Sequence, residues 1–313
     1  MCSDITNFFA TDGFYAGTLH FLTAIEIPLH TFGAFMIICK TPEKMRHVKW
    51  ILLLLHFVGA LLDIFLSCLT TPVVNFPMIS GYPLGLAVPL GLPINVLAYI
   101  GISMVGTLAV TILVVFEDRH YQIINALFGR KRSWYRLLYI IVLYFISATF
   151  LAPAYLKIPN ENLAKLVIKN KIPCITDDVL QRPGYFIIST TNTTFCLCLL
   201  FMLSIFATQL FYFVFSIFNH FSHTVAKSRA TARQQRKFVI AMCIQVFIPV
   251  VVVIIPVVYI ICANFFDYYS QAGNNLAMAA IVTHGVLTTF TMLIVHSPYR
   301  KATLEMFYCS TNY

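Results

Sequence analysis

The chain has 313 residues, of which 59% are hydrophobic and 11% charged, and its mean hydropathy is +0.81. A soluble domain carries about 25% charged residues, so most of this surface must face lipid and the chain reads as an integral membrane protein. The net charge of +9 does not mark a nucleic-acid binder, because the 21 basic residues fall in short gaps between apolar runs instead of on one folded face.

Crossing a bilayer takes about 20 helical residues, and seven windows of that kind lack Lys and Arg: 17–39, 50–73, 92–116, 137–156, 184–218, 238–262 and 276–296. Glu26 and Asp63 are their only formal charges, since a charge at mid-membrane costs at least about 2.5 kcal/mol. Runs this long predict helices; a transmembrane barrel shows alternating segments of about ten residues. The expected fold is an all-α seven-transmembrane helix bundle, one domain over 1–313, with no repeat or dividing linker.

In chain order, the first 16 residues hold Asp4 and Asp12 but no basic residue, so the first helix is expected to act as an uncleaved signal-anchor. Within it Glu26 and His30 share a face at i+4. The pair reads either as a polar-ligand or proton-sharing site, or as packing around a backbone carbonyl freed by Pro28. The second helix sets Asp63 two turns from His56 on one inward face. The third ends in Phe116-Glu117-Asp118-Arg119-His120-Tyr121.

The loop 157–183 contains Cys174, which is expected to be oxidised, with Cys2 as its mate and Cys262 as the alternative. The fifth window has 35 uncharged residues, which predicts tilt or projection beyond the membrane. The basic stretch from His220 to Lys237 follows, then a sixth helix interrupted by a hinge at Pro249 and Pro256. No lysine occurs in 276–296, so a retinal Schiff base cannot form there. In the tail, Leu304, Phe307 and Tyr308 predict a short amphipathic helix on the membrane surface, with Cys309 as a palmitoylation candidate.

The gaps after windows one, three, five and seven hold 16 Lys and Arg, against 5 on the opposite side, all in 157–183. That asymmetry predicts an extracellular N-terminus and a cytoplasmic C-terminus. Asn95, Tyr99, Gln245, Tyr259 and His284 are spaced where an outer-half pocket would lie, and an apolar pocket suits a volatile or lipophilic small molecule. No CxxC pair and no metal-like Cys/His spacing occur, so neither a metal nor another cofactor is expected. No nucleophile-base arrangement points to an enzyme.

The third-helix end resembles the acid-arginine signature of rhodopsin-like G-protein-coupled receptors. A more specific resemblance runs along the chain in Ile27-Pro28-Leu29-His30-Thr31-Phe32-Gly33, Lys40-Thr41-Pro42-Glu43-Lys44-Met45, Val48-Lys49-Trp50, Leu55-His56-Phe57, Gly81-Tyr82-Pro83-Leu84-Gly85 and His296-Ser297-Pro298-Tyr299-Arg300. These segments are similar to those of nematode serpentine chemoreceptors of class H. The resemblance implies a plasma-membrane receptor of chemosensory neurons, in their sensory cilia, that detects small molecules and signals through a heterotrimeric G protein.

It assigns coupling and activation to Glu117, Asp118, Arg119, Pro298 and Tyr299, with Arg119 paired to a neighbouring carboxylate while the helices are closed. An intramembrane polar network is expected around Asp63, with Glu26, His30 and His56. Two departures stand out: the seventh helix lacks Asn-Pro-x-x-Tyr, and no cysteine lies between Thr71 and Met104 to bridge the third helix to the outer loop. For Arg119 a plain headgroup anchor, and for the basic loop a topology signal touching anionic membrane lipids, remain the competing readings. A seven-helix transporter or ligand-gated channel is the alternative class; charged spans and inverted repeats would favour it.

Overall fold

A computed structural model describes residues 7–43, 46–128, 134–157, 160–189, 192–223 and 229–309. Helix α1 (Asp12–Lys40) starts where the Thr11 hydroxyl accepts from the Phe14 N–H at 3.3 Å and stops before Thr41-Pro42, as the restriction on a residue preceding proline favours. Its buried residues Tyr15, Leu19, Thr23, Glu26, His30, Gly33 and Ile37 recur every three or four positions. That stripe turns Glu26 and His30 toward the bundle interior.

Helix α2 (Arg46–Ile64) continues as a π-helical turn, Phe65–Thr70, and ends at Thr71 in the left-handed region with φ 39°. The remaining long helices are α3 (Ile94–Phe128), α4 (Trp134–Thr149) with the short α5 (Ala152–Tyr155), α8 (Asn192–His223) and α9 (Arg229–Phe265). The last span is made of α10 (Gln271–Val282) and α11 (His284–Val295). These give seven helices long and apolar enough to cross a membrane. Helix α3 packs on α2, α4 and α8, while α11 packs on α1 and α9, and α8 barely meets α9.

Three features depart from the sequence reading beyond shifts at helix ends. Residues 184–189 are not helical: Gly184 has φ 76° and Phe186–Ser189 form strand β3, so the fifth helix starts at Asn192. Helix α9 runs unbroken through Pro249 and Pro256, a tolerance that membrane helices owe to neighbours that satisfy the freed backbone groups. The break falls in the seventh span instead, at Thr283 between α10 and α11.

On the N-terminal face, β1 (Pro72–Val74), β2 (Ile79–Pro83) and β3 make an antiparallel sheet in that order, with Val73 opposite Tyr82 and Gly81 opposite Phe186. Every residue of β2 is buried. Helix α6 (Glu161–Lys171) and the single turn α7 (Asp177–Leu180) pack against it through Ile168, Leu180 and Ile187. The result is a lid across the bundle.

On the opposite face α12 (Ser297–Cys309) carries the chain away from α11. It docks through Tyr299, Ala302 and Met306 against Met36, Ile37 and Met292. Leu304, expected on the membrane-facing stripe, is 49% exposed on another side of the helix.

Candidate functional site

The first site is a polar cluster at mid-membrane where α1, α2 and the broken seventh span meet. His30 Nε2–H donates to Asp63 Oδ2 at 3.0 Å, and the Thr289 hydroxyl lies 3.1 Å from His30 Nδ1. His56 Nε2 lies 2.8 Å from the His30 carbonyl oxygen. His284 Nδ1 lies 3.4 Å from Asp63 Oδ1 and 2.7 Å from the Ile281 carbonyl. The Ser67 hydroxyl donates to Glu26 Oε2 at 2.7 Å and accepts from Thr23 at 2.8 Å.

Glu26, Asp63 and Ser67 are each 0% exposed. The local backbone makes this geometry. The π-helical turn over 65–70 carries Ser67 toward Glu26, a use of such bulges common at functional sites. Gly285, just past the break, has no space for a side chain: a Cβ there would stand 1.5 Å from Asp63 Oδ2. A Cβ at Gly33 would stand 2.7 Å from His56 Cε1, so both glycines are what let the polar groups approach.

Thus Glu26, His30, His56 and Asp63 do come together, but not in the expected pairs. His30 binds Asp63 and not its i+4 neighbour Glu26, whose Oε2 is taken by Ser67. Ser67, Thr23, His284 and Thr289 complete the cluster; of these only His284 carried a signal in the sequence, and it pointed to a pocket. Among the described residues, Glu26 Oε1 and Asp63 Oδ1 have no hydrogen-bond donor, and no group of three His, Cys, Asp or Glu is arranged to hold a metal ion.

The second site lies at the C-terminal face. Arg136 of α4 takes both acids of the third-helix end: its Nε donates to Glu117 Oε1 and Oε2 at 2.9 and 2.8 Å, and its Nη2 to Asp118 Oδ1 at 2.8 Å. Its guanidinium also sits 4.4 Å from the Tyr121 ring centroid. Arg119 is therefore not paired with a neighbouring carboxylate as expected. It stacks 4.7 Å from the centroid of Phe238 on α9, with Nε and Nη2 buried and without hydrogen-bond partners among the described residues.

From Phe238 the contacts continue across the face. The His296 ring lies 5.3 Å from Phe238 and 5.8 Å from Tyr299, and His296 Nε2 donates to Gln245 Oε1 at 2.8 Å. Burial, with the Arg119 charge second, pushes His296 down to about 4, so its ring is neutral. The Tyr299 hydroxyl meets Thr41 Oγ1 at 2.9 Å, and Pro298 stands in the first turn of α12. Arg119 is thereby linked to the third, sixth and seventh spans, α12 and the end of α1. Gln245, read from sequence as an outer-pocket residue, belongs to this inner network.

The other pocket candidates are also engaged: Tyr99 donates to the Ala148 carbonyl at 2.5 Å and Tyr259 to Asn274 Oδ1 at 3.0 Å, while Asn95 is exposed. Above them the lid is tied down. Tyr82 donates to Asp12 Oδ1 at 2.7 Å, Arg182 pairs with Asp12 and stacks on the Tyr82 ring, and Asn274 Nδ2 donates to the Phe76 carbonyl at 3.2 Å. Burial and the Asp12 bond hold the Tyr82 phenol well above its ordinary range. Cys174 is disulfide-bonded. Cys262 is a free thiol, which corrects the alternative mate, and Cys2 lies outside the described residues.

Seven apolar helices, a lid at one end and an acid-arginine network at the other define a serpentine receptor of the membrane. The family described as "Serpentine type 7TM GPCR chemoreceptor Srh" matches residues 10–309, and the chain belongs to it. It is 27% identical over 279 residues to Serpentine receptor class H-72 of Caenorhabditis elegans, a match covering 88% of this chain and 80% of that protein. The chain is an integral, multi-pass chemoreceptor and not an enzyme.

Proposed function

We propose that the chain detects a small molecule, volatile or lipophilic, in the half of the bundle beneath the lid and passes the event to a heterotrimeric G protein at the C-terminal face, which is cytoplasmic. The observation that carries this reading is Arg119, half-buried on Phe238 of the sixth span with Nε and Nη2 enclosed and without hydrogen-bond partners among the described residues. A guanidinium held on a ring face, with enclosed donors left unmatched, is costly to keep there and has donors to offer. Parting of the third and sixth spans would free its donors for a partner's backbone.

In this reading Glu117 and Asp118 fix the third-helix end through Arg136, while Pro298 and Tyr299 couple α12 to the seventh span. Pro249 and Pro256 give the sixth helix its compliance, and the cluster around Asp63 rearranges as the break at Thr283 shifts. Phe238→Ala removes a contact of about 0.5–2 kcal/mol and is expected to raise basal signalling by about 2- to 30-fold.

The test is expression with a G-protein dissociation reporter and a panel of volatile and water-soluble odorants. Wild type is expected to respond to part of the panel, and Arg119→Ala to lose that response at equal surface level. Normal signalling by Arg119→Ala removes the role given to it. An odorant-evoked ion current that needs no G protein replaces the coupling by a channel.

A further inference from the structure

Helix α6 carries apolar residues on two opposite sides. One side, Ala164 and Ile168, is buried in the lid. Leu163 and Leu166 lie on the other, 59% and 56% exposed, while Lys165 and Lys169 lie off that stripe in ion pairs with Glu161 and Asp177 at 2.7 and 2.6 Å. Spaced at i and i+3, the two leucines make one apolar patch on the outer side that the lid does not cover.

The ends of α6 show what the outer side meets. Its first residue follows the end of the fourth span, Tyr155, by six positions. Its last residue, Lys171, is ion-paired at 2.7 Å with Asp267, two residues beyond the end of the sixth span. The helix, about 16 Å long, therefore ends at the rim where the sixth span stops, in a lid segment that leaves the fourth span only six residues before it. Phe265 and Phe266 at that rim are 80% and 73% exposed, in the position of an interfacial aromatic belt.

We propose that α6 is an interfacial helix whose Leu163–Leu166 face inserts among the lipids of the leaflet on the N-terminal side, extending the lipid-facing surface of the sixth span and fastening the lid to the bilayer. Interfacial helices of this kind bind by shallow burial of one apolar face. The partner is the lipid surface itself, not a second copy and not a soluble protein.

The test uses the full-length chain with Trp50→Phe and Trp134→Phe, which removes both native tryptophans, reconstituted in phosphatidylcholine vesicles with or without brominated acyl chains. Single tryptophans are placed by Leu163→Trp and, separately, Leu166→Trp. Phe266→Trp serves as the lipid reference and the exposed Gln181→Trp as the aqueous one. Both α6 probes are expected to lose the same fraction of emission to brominated lipid as Phe266→Trp, and to be shielded from aqueous iodide. Quenching by iodide to the extent of Gln181→Trp, with no bromine effect, overturns the proposal. Shielding from both quenchers overturns it too, and its loss on dilution into excess lipid would assign the face to a second copy.

Discussion

At the scale of single residues, two arginines compete for two acids, and Arg136 holds both. Its side chain is 13% exposed and those of Glu117 and Asp118 are 11% and 9% exposed, so removing the cation leaves two buried carboxylates without their ion-pair partner. Breaking a buried pair from one side costs about 3–5 kcal/mol. Arg136→Met is therefore expected to lower the thermal stability of the purified receptor by that order, and adding Glu117→Gln to recover part of it. An unchanged single variant would show that the clamp contributes nothing.

His296 makes a second prediction, in pH. A free histidine has a pKa of about 6.5, and this one is pushed down to about 4 by burial and then by Arg119. The folded state holds the neutral ring, so its contribution is complete above about pH 6.5 and is lost as pH falls toward about 4. At about pH 5 the loss is about 2 kcal/mol. His296→Gln keeps a donor for Gln245 and cannot titrate; its unfolding temperature should fall less than that of wild type between about pH 7 and pH 5. Parallel falls would separate His296 from the acid sensitivity.

At the scale of elements, the seven spans were legible because uncharged runs of that length have one stable form in lipid. Strand β3 was not, because Tyr185 to Ile188 is as apolar as the helix that follows and a short apolar run carries no distinguishing period. The break at Thr283 left no trace, since no proline marks it. Glu26 and Asp63 stood out as buried charges, yet their partners come from other helices, which no spacing within one helix reveals.

The lid gives the element-scale prediction. Asp12 accepts from both Tyr82 and Arg182, but its side chain is 31% exposed, which limits the contribution of the ion pair. Asp12→Ala is expected to cost about 1 kcal/mol and to speed amide hydrogen exchange in 72–83 while leaving α12 protected. Equal acceleration at both faces would mean a global loss of stability and no local opening of the lid.

At the scale of the whole molecule, orientation joins the charge pattern to the disulfide. Of the basic residues, 16 fall in the gaps after the first, third, fifth and seventh windows and 5 in the loop 157–183. The five are the apparent objection to an extracellular lid. Four of them, Lys165, Lys169, Lys171 and Arg182, are ion-paired with Glu161, Asp177, Asp267 and Asp12. They serve the folded lid, whereas retention of basic residues acts on the short gaps beside span ends. Cys174 on the same face is disulfide-bonded, as expected if the lid meets an oxidising compartment. An epitope placed before Phe8 should therefore stain intact cells, and one after Tyr313 only permeabilised cells. The reverse pattern would turn Arg119 and the basic stretch 220–237 away from any G protein and end the coupling proposal, while leaving the family and the fold as they stand.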